Sequence, residues 1–285
     1  MKSNIEKIIE YKDQYPQLCH ASNIIAKSKK GDKIAALQKI IEQYIKYLEG
    51  NLSLVGYTDD IIRKRVKLVN NYYNFIHNNN YDNLFTAQSK FRSTILEEFP
   101  FLLFKNFVEK YQTKYHANYK LESGSVNAYT NLYFKAKSFG DFVQNPEMGI
   151  NVKDQDFAIY RKIEITQNDS NTINLLQVPA VAIEVKTYVD KTMLEGIIAT
   201  AEKVKSGNPY SMFIVLTEAY DVTFDADPAY SRIDQIYVLR KSKSNEEQKT
   251  IDENVVLRMF HEIQRHLERP WSDVEARMRN EGVII

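Results

Sequence analysis

Two charged residues interrupt an apolar stretch of the chain. Residues 178–189 read Val-Pro-Ala-Val-Ala-Ile-Glu-Val-Lys-Thr-Tyr-Val, which places Glu184 and Lys186 two positions apart. Alternate residues of a β-strand point to opposite faces of a sheet, so both charged side chains are expected on one face. Charge is costly to bury among apolar residues unless a partner compensates it. The stretch therefore predicts either a structural ion pair or a site that uses the charges.

An aspartate on the preceding predicted strand bears on this choice. Asp156 opens the segment 156–160, whose sequence Asp-Phe-Ala-Ile-Tyr favours a strand. If the two strands are neighbours, Asp156 and Glu184 meet at one edge, where two carboxylates repel each other unless one is protonated or a cation lies between them. Mg²⁺ favours such oxygen ligands, and Lys186 could orient or deprotonate an attacking water. The three residues predict a metal-dependent hydrolytic site, with a structural ion network as the alternative.

The elements around these residues are those of an α/β domain. From residue 84 the pattern predicts a helix, strands at 126–134, 156–160 and 178–189, a helix to about 205, strands at 212–217 and 233–239, and a helix at 252–267. Helices that flank a mixed central sheet make this an α/β fold. Residues 1–83 read as an N-terminal helical region with breaks at 31–32 and 50–51, and residues 84–285 as the catalytic domain.

Composition excludes several classes of protein. Cys19 is the single cysteine, so neither an internal disulfide nor a cysteine-rich zinc site is possible, and no apolar run approaches the roughly 18 residues of a membrane helix. The N-terminus lacks the apolar stretch of a signal peptide, so we expect a cytoplasmic protein. The net charge of +1 does not by itself indicate a nucleic-acid partner. Basic clusters at 27–30 and 63–65 are open to two interpretations, phosphate contacts or exposed helix charge.

Asp156 followed by Glu184-Val-Lys186 on the next strand resembles the PD-(D/E)XK nuclease superfamily, whose core of helix, three strands, helix and strand matches the predicted order. The likeness narrows to Type II restriction endonucleases of the Bpu-Ten-I type, which recognise a CCTNAGC-like site. Residues 181–193, 208–210, 232–240 and 266–271 carry this likeness. One position departs from the superfamily pattern, because Gln155 rather than proline precedes Asp156.

The resemblance implies a Mg²⁺-dependent endonuclease that cuts double-stranded DNA and leaves a 5′-phosphate. Asp156, Glu184 and the Val185 carbonyl would hold the metal ion, and Lys186 would position the water. One active site would cut one strand, so that double-strand cleavage requires a homodimer or a heterodimer with a sister subunit. Residues 1–83 would serve DNA recognition or dimerisation. The alternatives are a repair or mobile-element nuclease of low specificity and a non-catalytic DNA- or protein-binding module.

Four further charged residues are supporting candidates, namely Glu97, Glu98, Asp154 and Lys191. The resemblance implies that one of the two helical glutamates binds a second metal ion or holds its water shell, although a solvated helix face also explains them. The aspartate two residues before Asp156 is the alternative metal ligand. The lysine could contact a phosphate or support Lys186, and a surface lysine beside the N-capping aspartate of a helix is the other interpretation.

Overall fold

A computed structural model describes residues 3–31, 33–85, 90–114, 121–144, 146–166, 173–223, 227–247, 249–269, 271 and 274–282. The chain begins with helices α1 (Asn4–Gln14), α2 (Cys19–Lys30), α3 (Ile34–Ser53) and α4 (Asp59–Asn78). Gly31 ends α2 in the left-handed conformation with φ 68°, as the sequence predicts. The break predicted at 50–51 is wrong, because Gly50 lies inside α3, where it lets Leu68 of α4 approach closely.

The second part of the chain alternates helices and strands. Its elements are α5 (Ser93–Lys114), β1 (Leu121–Lys135), α6 (Phe139–Gln144), β2 (Glu147–Thr166), β3 (Ile173–Val189), α7 (Lys191–Gly207), β4 (Met212–Tyr220), β5 (Gln235–Val238), α8 (Glu253–Glu268) and α9 (Val274–Glu281). The five strands form one sheet in the order β1-β2-β3-β4-β5, in which β1, β2 and β3 are antiparallel neighbours and β3, β4 and β5 are parallel. Among the described helices, none is both long enough and apolar enough to cross a membrane.

The two faces of the sheet are covered by different helices. Ile183 and Val185 of β3 point into a core shared with α5 and α8, whereas Ala182 points into a second core beneath α7. This alternation is what a strand buried on both faces requires. A mixed sheet flanked by helices confirms the predicted fold class, a restriction-endonuclease-like core with an N-terminal helical region.

The N-terminal helices pack directly on the sheet domain. The core that contains Ile183 also contains Tyr44 of α3 and Tyr73 of α4, so apolar burial is continuous between the two parts. Asn70 of α4 exchanges two hydrogen bonds with the backbone of Ile251, at 2.9 and 2.8 Å. The division of the chain at residue 83 stays a prediction.

A two-stranded arm extends beyond the sheet. The β2–β3 ladder ends at the pair Phe157–Ile183, whereas the β1–β2 ladder continues to the pair Lys135–Glu147. We call residues 126–155 the hairpin arm, with α6 at its tip. The arm returns over α7, where Ser206 Oγ donates to the Thr130 carbonyl at 3.4 Å. The strands β2 and β3 therefore diverge where β2 enters the arm.

Candidate active site

Asp156 lies at an irregularity of β2. The register passes from the pair Gly124–Ala158 to the pair Val126–Gln155, so that two residues of β2, 156 and 157, stand opposite the single residue Ser125. Such a β-bulge bends the strand and changes the direction of a side chain. The bulge coincides with the end of the β2–β3 ladder, and the Asp156 carboxylate takes the place of the next backbone acceptor. Its Oδ2 accepts a hydrogen bond from the Val185 N–H at 2.7 Å.

The structure brings the three predicted residues together in the fork between β2 and β3. Lys186 Nζ lies 2.6 Å from Glu184 Oε1 and 3.9 Å from Asp156 Oδ2. The side chains of Asp156 and Lys186 are each 31% exposed and that of Glu184 is 16% exposed, so solvent or a substrate can reach the group from one side. The alternation of β3 places the apolar Val185 in the core on the opposite face.

The electrostatics of this group reflect two carboxylates and one ammonium. Burial, followed by the charge of Glu184, raises the pKa of Asp156 to about 6, against the opposing effects of the Val185 N–H and Lys186. Burial acts to lower the pKa of Lys186, but the contact with Glu184 outweighs it and the pKa is raised. Lys186 is therefore an ammonium at neutral pH. A carboxyl group whose pKa is raised beside another carboxylate marks a position where a cation would be stabilised.

The two helical glutamates have different surroundings. Glu97 of α5 is half-buried, and its charge acts on both Asp156 and Lys186. It also lines a cavity of about 80 Å³ together with Asp156 and Phe101. Because successive residues of a helix point about 100° apart, Glu98 faces away from this cavity. Of the pair, Glu97 is the one that the fold brings to the three strand residues.

Glu98 is fully buried among the N-terminal helices. Its Oε2 accepts the backbone N–H groups of His20 and Ala21, at 2.9 and 3.3 Å, and its Oε1 accepts the Tyr44 hydroxyl at 2.9 Å. Burial raises the pKa of Glu98 to about 7. These donors occupy the carboxylate at the first turn of α2, so Glu98 joins α5 to α2 and α3.

The other two supporting candidates lie outside this contact network. Asp154 is exposed on the hairpin arm opposite Asn127. Lys191 is the exposed first residue of α7, and Asp190 before it caps the helix by accepting the Met193 N–H at 2.8 Å. The N-cap that the sequence predicts is therefore present.

The basic clusters are not uniformly exposed. Arg65 is 3% exposed and donates to the carbonyls of Asn51 and Leu54 and to Asn106 Oδ1, at 2.7 to 2.8 Å. Both interpretations of this arginine, phosphate contact and exposed helix charge, are wrong, because its guanidinium ties the end of α3 to α4 and α5. Lys27 lies 4.1 Å from the centre of the Phe85 ring.

The residues behind Asp156 could not be identified from the sequence alone. Gln17 and Cys19, from the start of α2, line the 80 Å³ cavity together with Gly124 and Ser125 of β1. A Cβ on Gly124, whose φ is +140°, would stand 2.7 Å from Gln17 Cγ, so glycine permits this close approach. These contacts join segments more than 100 residues apart, and no local pattern records such a contact.

The donor set suits a hard cation with few protein ligands. Within the part of the chain that the structure describes, no group of three or more His, Cys, Asp or Glu side chains is arranged to hold a metal ion. Asp156 and Glu184 supply two carboxylates in a partly open fork. Mg²⁺ is commonly bound through one or two carboxylates, with water and substrate phosphates as its other ligands. The residues present fit such an ion.

A family model and a solved structure match this chain. A solved structure described as native BbvCI A2B2 tetramer at low resolution has a TM-score of 0.67 at 20% identity, over 88% of this chain and 95% of that chain. At this identity the likeness concerns the fold. No curated protein matches the chain. The profile described as Bpu10I restriction endonuclease matches residues 88–251, more than half of the chain, including every residue of the fork. The chain therefore belongs to the Bpu10I restriction endonuclease family, and its class is that of a nuclease.

Proposed function

We propose that the chain is a Type II restriction endonuclease of the PD-(D/E)XK type, which cuts double-stranded DNA at a specific CCTNAGC-like site in the cytoplasm. The observation that carries this proposal is the fork at the end of the β2–β3 ladder. There, Lys186 Nζ lies within 4 Å of carboxylate oxygens of both Asp156 and Glu184. Family membership supplies the substrate class, DNA. The open side of the fork supplies access for a phosphodiester.

Each residue of the fork has a distinct role in this proposal. Asp156 and Glu184, with the Val185 carbonyl beside them, would hold Mg²⁺, which would stabilise negative charge on the phosphate and activate water. Lys186, whose contact with Glu184 raises its pKa in the metal-free fork, orients the attacking water and stabilises developing charge. Glu97 lies near enough to hold water around the ion. Hydrolysis leaves a 5′-phosphate and a 3′-hydroxyl.

Cleavage of both DNA strands requires two such sites, because the fork of one chain accommodates one phosphodiester. We propose that the chain acts as a homodimer or with a sister subunit. The structural neighbour is described as an A2B2 tetramer, which supports an assembly of related subunits. The helical region 1–83 would take part in DNA recognition or in contacts between subunits, and residues 84–285 would form the nuclease domain.

A plasmid digest tests the reaction directly. With Mg²⁺ the purified protein should convert plasmid DNA to discrete fragments with 5′-phosphate ends, and a chelator should stop the reaction until Mg²⁺ is restored. A smear in place of discrete bands would indicate the rival function, a repair or mobile-element nuclease of low specificity. Sequencing of the fragment ends gives the recognition site and the cut position.

Substitutions in the fork test the assigned residues. Glu184→Ala and Lys186→Ala should each lower the cleavage rate by at least about 10²-fold while the protein stays folded and binds DNA. Lys191→Ala is the matched control for the lysine, and Asp154→Asn is the control for Asp156→Asn. If the fork variants changed only the melting temperature, the charges would form a structural ion network and the chain would be a non-catalytic binding module.

A further inference from the structure

A second cavity is lined in part by the residues that follow Lys186 on β3. It has a volume of about 640 Å³, and its lining includes Lys90, Arg92, Tyr188, Glu218, Arg240 and Lys243. Thr187 and Tyr188 follow Lys186 on β3, where each residue advances the strand by about 3.3 Å. Arg92 and Ser93 lie about one helical turn before Glu97 at the start of α5. We call this space the arginine cavity.

A buried carboxylate between two arginines forms one wall of the arginine cavity. Glu218 Oε2 accepts Arg240 Nε at 2.7 Å and Arg92 Nη2 at 3.0 Å, and its Oε1 accepts the Tyr73 hydroxyl at 3.1 Å. The side chains of Arg240 and Glu218 are 4% and 2% exposed. One carboxylate is hydrogen-bonded to two guanidinium groups, and the Arg92 side chain, which is 37% exposed, also interacts with the charge of Asp82. An anion in the cavity would be a further partner for the exposed part of Arg92.

Both arginines have nitrogen donors without an acceptor. Among the described residues, no acceptor contacts Arg240 Nη2 or Arg92 Nε, although both atoms are buried. The planar guanidinium group is suited to phosphate, which it can bind through two N–H groups at once. The remaining acidic side chains of the lining have cationic or imidazole neighbours, since Asp82 contacts His77 and Glu246 contacts Lys249. Lys90 adds further positive charge.

We propose that the arginine cavity binds a phosphodiester group of the cut strand next to the scissile one, with Arg92 and Arg240 as donors. This inference rests on the proposed function, because it assumes a DNA strand lying in the fork. Glu218 is a positioning residue that orients both guanidinium groups and Tyr73. The two sites share β3 and α5, so a strand held in the cavity is held in register with Lys186.

The salt dependence of DNA binding tests the contact. We would measure the Kd of a duplex that contains the wild-type cut site, without Mg²⁺, over a series of KCl concentrations. Arg92→Ala and Arg92→Gln should each weaken binding roughly tenfold and lower the slope of log K against log salt by about 0.9. Arg92→Gln keeps a donor for Glu218, and thermal unfolding confirms that it is folded. Lys203→Ala, an exposed lysine of α7, should leave the Kd and the slope unchanged.

Neutral phosphates locate the contact along the DNA. A methylphosphonate at one or two positions beside the cut should weaken wild-type binding and leave Arg92→Gln unaffected. If the wild-type enzyme cleaves DNA and both Arg92 variants keep its slope of log K against log salt, the inference is overturned and the proposed function stands. If the wild type neither binds nor cleaves DNA, the proposed function itself is overturned. Inorganic phosphate is the remaining probe. If it raised the melting temperature in an Arg92-dependent way while the DNA slope stayed unchanged, the cavity would be a small-anion site and the DNA contact would be refuted.

Discussion

Two adjacent glutamates on one helix have different surroundings because the two faces of that helix meet different parts of the fold. Glu97 points toward the carboxylate and the ammonium of the fork, whereas Glu98 is enclosed by donors from α2 and α3. Sequence alone offers both as candidates, since two neighbouring acidic residues near a helix start carry no information about which face meets the sheet. The packing of α5 between the N-terminal helices and β2 makes the distinction.

The pair Glu97→Gln and Glu98→Gln separates catalysis from stability. Glu97→Gln should lower the cleavage rate about tenfold to a hundredfold, the effect usual for residues that support a metal site from outside, with little change in melting temperature. Glu98→Gln keeps the acceptor oxygen for the N–H groups of His20 and Ala21, so its cleavage rate should stay close to that of the wild type. Initial rates on plasmid DNA with Mg²⁺ give the comparison. Equal losses in the two variants would contradict the separate roles.

Glu98 should also make stability depend on pH. Because burial raises its pKa from 4.5 to about 7, the folded protein keeps a proton that the unfolded chain has lost at intermediate pH. The unfolded state then binds fewer protons, and the free energy of unfolding falls as pH rises from about 4.5 to 7. One pKa unit corresponds to about 1.4 kcal/mol, so the loss is up to about 3 kcal/mol. Urea unfolding of the wild type and Glu98→Gln at pH 5 and pH 8 isolates this contribution. An equal change in the free energy of unfolding between the two pH values in both proteins would contradict it.

At the scale of elements, the succession of helices and strands along the chain and the active strand could be predicted from the sequence, but the hairpin arm could not. The stretch 178–189 is apolar because β3 is covered on both faces, and burial is what a hydrophobic pattern reports. The sequence pattern predicts β2 over 156–160, but the strand extends over Glu147–Thr166. Many side chains at its two ends are exposed and leave no hydrophobic pattern. The bulge at Asp156 is likewise invisible, since it depends on the register with β1.

A change from glycine to alanine is expected to have opposite effects on stability at two positions of α7. A Cβ on Gly207 would stand 2.5 Å from the carbonyl oxygen of Thr130, whereas a Cβ on Gly196 would meet nothing within 4 Å. Gly207→Ala should therefore displace the hairpin arm and destabilise the protein by about 1–3 kcal/mol, as overpacking does. Gly196→Ala should stabilise it by about 0.5–1 kcal/mol, because alanine is the better helix former. Denaturant unfolding of both variants checks the sign, and a stabilising Gly207→Ala would show that the arm is not held against α7.

At the scale of the whole molecule, several large apolar side chains at the tip of the hairpin arm are exposed. Phe139, Phe142 and Val143 of α6 are 81%, 52% and 65% exposed, and Phe134 beside them is 60% exposed. Contiguous exposed apolar side chains of this kind mark contacts with another protein chain. The proposed function needs a second fork, and a second subunit can both supply it and cover the tip of the arm. The tip of the hairpin arm is thus a second candidate, besides residues 1–83, for contact between subunits.

Loss of aromatic residues at the tip of the arm should therefore break the assembly. If the chain is a homodimer, light scattering should give twice the mass of the 33.3 kDa chain for the wild type and the mass of one chain for the double variant Phe139→Ser with Phe142→Ser at micromolar concentration. Tyr230→Ser is the matched control, because Tyr230 is 95% exposed but lies in the turn Pro228–Tyr230 between β4 and β5. This substitution should leave the mass of the assembly unchanged. The double variant should also nick plasmid DNA more readily than it linearises it, since one fork cuts one strand. A dimeric double variant would contradict this interface, and a monomeric wild type would rule out the homodimer and require the sister subunit for cleavage of both strands.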